Sequence, residues 1–209
     1  MKKRTLALLC AVTMIVGIAV GGTLAWLVSN GGSVTNTFTI GDVTATLAET
    51  GAEDGQKAYE MVPGQNEAKD PNVTISTDSV DCYLFVKVTD TNVSTYINYQ
   101  VDGSMWTALD ASAYPGVYYY KNAGTDNKIT DAEKDAPIYI LDCIATHDPS
   151  DPECHGCVTM KETVKKRDRD QMIVDAPELE FVAYAIQADG MDGKSMSEIY
   201  NIASDPDQW

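Results

Sequence analysis

Alternating apolar and polar positions run through most of this chain and predict strands. The clearest run is residues 82–89. There Cys82, Leu84, Val86 and Val88 share one face, and Tyr83, Phe85 and polar Lys87 share the other. The first set is assigned to the core. Residues 179–188 repeat the pattern, with Leu179, Phe181, Ala183, Ala185 and Gln187 on one parity. Shorter runs at 72–76, 116–121, 138–141 and 158–164 predict further strands. Residues 96–99 and 105–106 flank Asp102-Gly103, a hairpin-type dipeptide, and predict a strand pair. Between residues 35 and 47, Phe38 and Ile40 lie on one parity and Val43, Ala45 and Leu47 on the other. The flip falls at Gly41-Asp42, which predicts a turn or bulge between two extended segments.

Turn residues punctuate these runs. Asp54-Gly55 and Pro63-Gly64 are turn dipeptides, and residues 123–134 read as a polar, acidic loop. Residues 147–157 hold two prolines and a cysteine pair, which excludes regular structure. Residues 165–173 are charged and read as a short helix or loop. Residues 195–203 predict a terminal helix, with Ser195 as N-cap, Glu198 three residues on, and Met196, Ile199 and Tyr200 apolar. Many short strands with turns between them and little helix predict an all-β fold, an antiparallel β-sandwich with a few short helices.

The N-terminus reads as an export signal. Lys2, Lys3 and Arg4 form a positive start, residues 6–20 an apolar core, and Thr23-Leu24-Ala25 a small-residue cleavage site. Cutting is expected between Ala25 and Trp26. The competing reading is a retained anchor, because residues 24–28 extend the apolar run toward the ~20 needed to span a bilayer. Gly21, Gly22 and Thr23 weaken a helix where a peptidase needs extended backbone, which favours cleavage. Cys10 lies inside the apolar run, too early for a lipid-modified N-terminal cysteine. The expected organisation is a signal at 1–25, a freed N-terminal strand at 26–40, and one β-sandwich domain at 41–209. A cysteine-rich loop at 143–157 is inserted in that domain.

Charge narrows the function. The chain carries 31 acidic and 15 basic residues, a net −16, and the signal removes three of the basic ones. Such a surface repels nucleic-acid phosphates and anionic lipid, so neither is an expected partner. Acidic clusters attract divalent cations or a basic partner, but solvation of an exported surface accounts for most of them.

Five segments carry a resemblance when taken in order. They are Gly21-Gly-Thr-Leu-Ala-Trp26, Asn36-Thr-Phe-Thr-Ile-Gly-Asp-Val43, Lys69-Asp-Pro-Asn-Val73, Asp81-Cys-Tyr-Leu-Phe-Val-Lys-Val88 and Phe181-Val-Ala-Tyr-Ala-Ile-Gln-Ala-Asp-Gly190. Together they resemble the TasA/camelysin (CalY-type) family of Gram-positive secreted proteins, whose signals are cut by a SipW-type signal peptidase. The resemblance spans essentially the whole mature chain. It implies a jelly-roll sandwich and assembly into extracellular (biofilm) matrix or cell-surface fibres. It also implies that the N-terminal strand of one subunit completes the sheet of the next. The matching donor positions lie between Trp26 and Ile40. The chain departs from the family at residues 143–157, where a short hairpin is replaced by the cysteine-rich loop.

Some relatives are called camelysins, a name attached to a cell-surface metallopeptidase. A zinc protease needs ligands at fixed spacing and a carboxylate base, as in H-E-x-x-H. The only histidines, His147 and His155, stand in the proline-interrupted loop without that motif. Three readings fit Cys143, Cys154 and Cys157: disulfides, a structural zinc site completed by His147 or His155, or a redox C-x-x-C. The exported setting favours disulfides, and the redox reading lacks a thioredoxin-like βαβ frame. Cys82 reads as a buried small hydrophobe. Tyr118, Tyr119, Tyr120 and Trp106 form either a carbohydrate or assembly face, or core and cross-strand pairs, with the second favoured. Asp126, Asn127 and Asp131 sit in a loop that lacks EF-hand spacing, so calcium is a weak expectation. No cofactor is expected.

The leading expectation is therefore a secreted, non-enzymatic structural subunit that polymerises with copies of itself by strand addition. Trp26, Leu27, Val28, Phe38 and Ile40 are the candidate pocket-filling residues. The alternatives are a camelysin-type surface metallopeptidase and a monomeric surface module that binds through the 143–157 loop.

Overall fold

The computed structural model describes residues 43–53, 57–143 and 156–205, with Arg169 described by its backbone alone. Strand outweighs helix in them, in antiparallel sheets with a few short helices, which is the expected all-β class. The strands are β1 (Ala45–Ala48), β2 (Asn66–Ala68), β3 (Asn72–Ile75), β4 (Cys82–Thr91), β5 (Ile97–Asn98), β6 (Trp106–Ala108), β7 (Val117–Tyr120), β8 (Ile138–Tyr139), β9 (Cys157–Met160) and β10 (Glu178–Gln187). The helices are α1 (Val93–Tyr96), α2 (Arg169–Asp175), preceded by a 3-10 turn at Lys166–Asp168, and α3 (Met196–Ser204). Among the described residues the strands form a three-stranded sheet β1-β3-β8, a four-stranded sheet β10-β4-β7-β6 and a three-stranded sheet β2-β9-β5.

The period-two pattern of β4 decides the layering. Its even-numbered residues Cys82, Leu84, Val86 and Val88 join one core, with Val43 and the β3 residues Val73 and Ile75. Across the β4–β10 ladder, Ala185 pairs with Leu84, Ala183 with Val86 and Phe181 with Val88, so β10 sends its odd-numbered side chains into the same core. The small alanines leave room for Leu84 and Val86 between the layers. Burying each such Leu, Val or Phe contributes about 1.5–3 kcal/mol.

The opposite face of β4 is also buried, which the alternation alone did not predict. Tyr83 and Phe85 belong to a second core with Val117, Ile186 and the helix residues Ile199, Tyr200 and Ala203. Helix α3 closes that side. It opens with a capping box: the Glu198 amide donates to Ser195 Oγ at 3.3 Å, and the Ser195 amide donates to Glu198 Oε2 at 2.8 Å. This satisfies otherwise orphaned backbone donors. Tyr200 stacks obliquely on Phe85 at 5.5 Å and edge-on to Tyr114 and Tyr184 at 5.6 Å, fixing the helix to the sheet.

The strand pair expected around Asp102-Gly103 does not form. The dipeptide does turn the chain, with Met105 and Trp106 amides both donating to the Asp102 carbonyl. The flanking strands, however, diverge: β5 pairs with β9, and β6 pairs with β7. Two residues explain the split. Val93 and Tyr96 bury one face of the single-turn helix α1, capped when the Val93 and Ser94 amides donate to Asp90. That turn redirects the chain and delivers Ile97 to Met160 of β9. Strand β9 is shorter than the expected run because Val164 folds back on Lys161 in a turn.

Candidate functional site

A ten-residue strand at the end of its sheet is the most distinctive surface of this fold. Ala188 donates to the Asp81 carbonyl at 2.8 Å, which sets the hydrogen-bonding phase of the β4–β10 ladder. Antiparallel pairs alternate between bonded and non-bonded. The even-numbered residues of β10 therefore face β4 with their backbone groups, and the odd-numbered ones direct N–H and C=O outward. Among the described residues no strand is hydrogen-bonded to that outer side. Ala183 and Ala185 nevertheless expose only 1% and 2% of their surface. Both residues are thus already covered within the chain, and β10 is the end strand of its hydrogen-bonded sheet.

Strand β1 approaches β10 and is itself the end of its sheet. It is anchored at its start, where the Thr44 amide donates to Ser79 Oγ at 2.9 Å and the Ser76 amide donates to the Thr44 carbonyl. The described fold begins at Val43, which is fully buried.

At the far end of β1 lies a cluster that sequence reading missed. Lys69 is 8% exposed, and its Nζ donates to Glu49 Oε2 at 3.0 Å and Oε1 at 3.2 Å. The Tyr59 hydroxyl also donates to Glu49 Oε1. The ammonium lies 5.0 Å from the Tyr59 ring centre and 5.4 Å from that of Phe181 on β10. Burial, and then the hydrogen bond to Glu49, push the Tyr59 hydroxyl well above the usual tyrosine range, so it stays a donor. The Lys69 amide donates to the Gly156 carbonyl at 3.1 Å. Gly156 has φ 150°, and a β-carbon there would strike the Lys69 carbonyl. The only sequence clue to this cluster was a lysine at the mouth of an apolar strand.

Of the residues singled out from the sequence, Ala25, Trp26, Leu27, Val28, Phe38, Ile40, His147, Cys154 and His155 lie outside the described residues. Cys143 is disulfide-bonded, in line with the favoured disulfide reading. Cys157 is buried at the start of β9, where its amide donates to the Asp142 carbonyl, so the two ends of the 143–157 loop meet. Cys82 is a buried free thiol whose pKa burial pushes up to about 12. Trp106 and Tyr120 pack edge-on at 6.1 Å and are 2% and 7% exposed, so they are core rather than a sugar-binding face. In the acidic loop Asn122 and Thr130 donate to Glu133. Burial opposes ionisation of that carboxyl, but these bonds prevail and hold it below the usual range. Among the described residues no group of three or more His, Cys, Asp or Glu is placed to hold a metal ion, and no helix is long and apolar enough to cross a membrane.

No protein-family model, curated protein or solved structure matches this chain.

Proposed function

We propose that this chain is a secreted structural subunit of extracellular matrix or cell-surface fibres, of the TasA/camelysin type. A SipW-type signal peptidase cuts between Ala25 and Trp26, and the freed segment 26–40 adds as a strand to the sheet of the next subunit. The domain is then a jelly-roll sandwich with one edge completed in trans. The observation that supports this reading is that β10, a ten-residue strand, ends its sheet with no hydrogen-bonded strand on its outer side among the described residues. Strand addition pairs backbone groups along an end strand and fills alternate pockets with side chains, here Phe38 and Ile40 with Trp26, Leu27 and Val28 as anchors. Before cleavage the segment is tethered to the signal, so processing triggers assembly and keeps an aggregation-prone edge silent during export.

The test compares the chain from Trp26 onward with the same chain lacking residues 26–40. The deletion removes no residue of the described sheets. Electron microscopy is expected to show fibres from the first and monomers from the second. Fibres forming equally readily from both would rule the mechanism out.

A further inference from the structure

The Glu49–Lys69 pair has the features of a covalent cross-link site. Both side chains are largely out of water, with 14% and 10% exposure. Both carboxylate oxygens lie within 3.2 Å of the one nitrogen, so the carboxyl carbon is held beside a primary amine. Tyr59 and Phe181 flank the nitrogen, and the Tyr59 hydroxyl already donates to Glu49 Oε1. Thus an amine, a carboxyl, an apolar enclosure and a hydrogen-bond donor for an oxyanion converge. A plain ion pair needs neither the enclosure nor the third donor, and a buried pair is poor evidence of stability by itself.

We infer that Lys69 and Glu49 join in an intramolecular amide bond, formed by the folded protein without an added enzyme. In the poorly solvated site a proton passes from the Lys69 ammonium to a Glu49 oxygen, giving a neutral amine and a carboxylic acid. The Nζ lone pair then forms a C–N bond to Glu49 Cδ, and the carbonyl π pair moves onto oxygen, where the Tyr59 O–H stabilises it. A second proton moves from nitrogen to the hydroxyl oxygen. The C–O bond breaks, and one water leaves. Ammonium plus carboxylate thus become amide plus water, with no oxidant or co-reactant. Two groups held this way react at an effective concentration of up to about 10⁵–10⁸ M, and the enclosure disfavours hydrolysis.

The position gives the bond a consequence. Glu49 follows β1 and Lys69 precedes β3, the strand β1 pairs with, so the amide would clamp the end of that ladder. If the proposed strand exchange holds, tension on residues 26–40 enters each subunit at β1, and the clamp stops unravelling at Glu49. The bond itself does not depend on that reading.

The experiment is intact mass spectrometry of the purified, reduced chain, followed by peptide mapping. The wild type is expected to be lighter by one water, with a branched peptide joining Glu49 to Lys69. The Lys69→Arg variant is expected at full mass, and Tyr59→Phe to form the bond about 10²-fold more slowly. A folded wild-type chain at full mass after prolonged incubation would overturn the inference and leave an ion pair only. So would a water loss mapped elsewhere, such as to an aspartate. The wild-type map decides the question even where a variant fails to fold.

Discussion

The Gly116 carbonyl accepts the Val88 amide at 2.8 Å, and with φ at 74° a β-carbon at 116 would strike the Val88 carbonyl oxygen. This hydrogen bond starts the β4–β7 ladder. A side chain at 116 would be strained in the left-handed region and would collide with backbone, which cannot swing aside. Gly116→Ala is expected to cost at least ~2 kcal/mol in denaturant unfolding, with near-normal secondary structure by circular dichroism.

Tyr200 is the bolt between α3 and the sheet. Tyr200→Ala removes three ring contacts at one buried point and is expected to cost about 3–5 kcal/mol. Hydrogen exchange is expected to show α3 opening before the sheet. Uniform loss of protection would argue that the helix is an equal part of the folding unit.

The cap of the same helix makes a smaller prediction. Ser195→Ala removes the oxygen that accepts the Glu198 amide, at an expected cost of about 1 kcal/mol. Ser195→Asp, which keeps an acceptor, is expected to lose less. Unfolding midpoints of the two variants check the order.

Cys82 makes the fold sensitive to alkali. Its pKa is raised to about 12 in the folded chain, while an unfolded thiol ionises near ~8.5. The folded state therefore retains a proton that the unfolded chain releases. The stabilisation is complete below ~8.5 and falls by about 1.4 kcal/mol per pH unit until the folded pKa is reached. Tyr200, raised to about 12 by burial, adds to the loss above its ordinary value near ~10. Urea titrations at pH ~8 and ~10 are expected to show this slope in the wild type and a flatter one in Cys82→Ala. In native protein the thiol is expected to resist thiol reagents.

The fold class was legible because β4 and β10 keep a strict alternation and α3 carries its own capping signature, both local in sequence. The second face of β4 was not legible. Tyr83 and Phe85 looked like an outer face because their cover, Ile199 and Tyr200, comes from the far end of the chain. Asp102-Gly103 gave a turn but not a hairpin, since pairing partners are set by where Val93 and Tyr96 bury themselves. The Glu49, Tyr59 and Lys69 cluster left almost no trace, because three ordinary residues from separate segments meet only once β1 and β3 pair. The β10 edge was visible as a strand, but only the sheet order marks it as an edge.

The proposed assembly turns on where residues 26–40 find their hydrogen bonds. A side-chain-resolution structure of the native fibre measures this directly. Residues 26–40 of one subunit are expected to run along β10 of the next, bonded to Ala183 and Ala185, with Phe38 and Ile40 inserted beside that strand. A fibre in which those residues pair within their own subunit, or outside any sheet, would contradict the account.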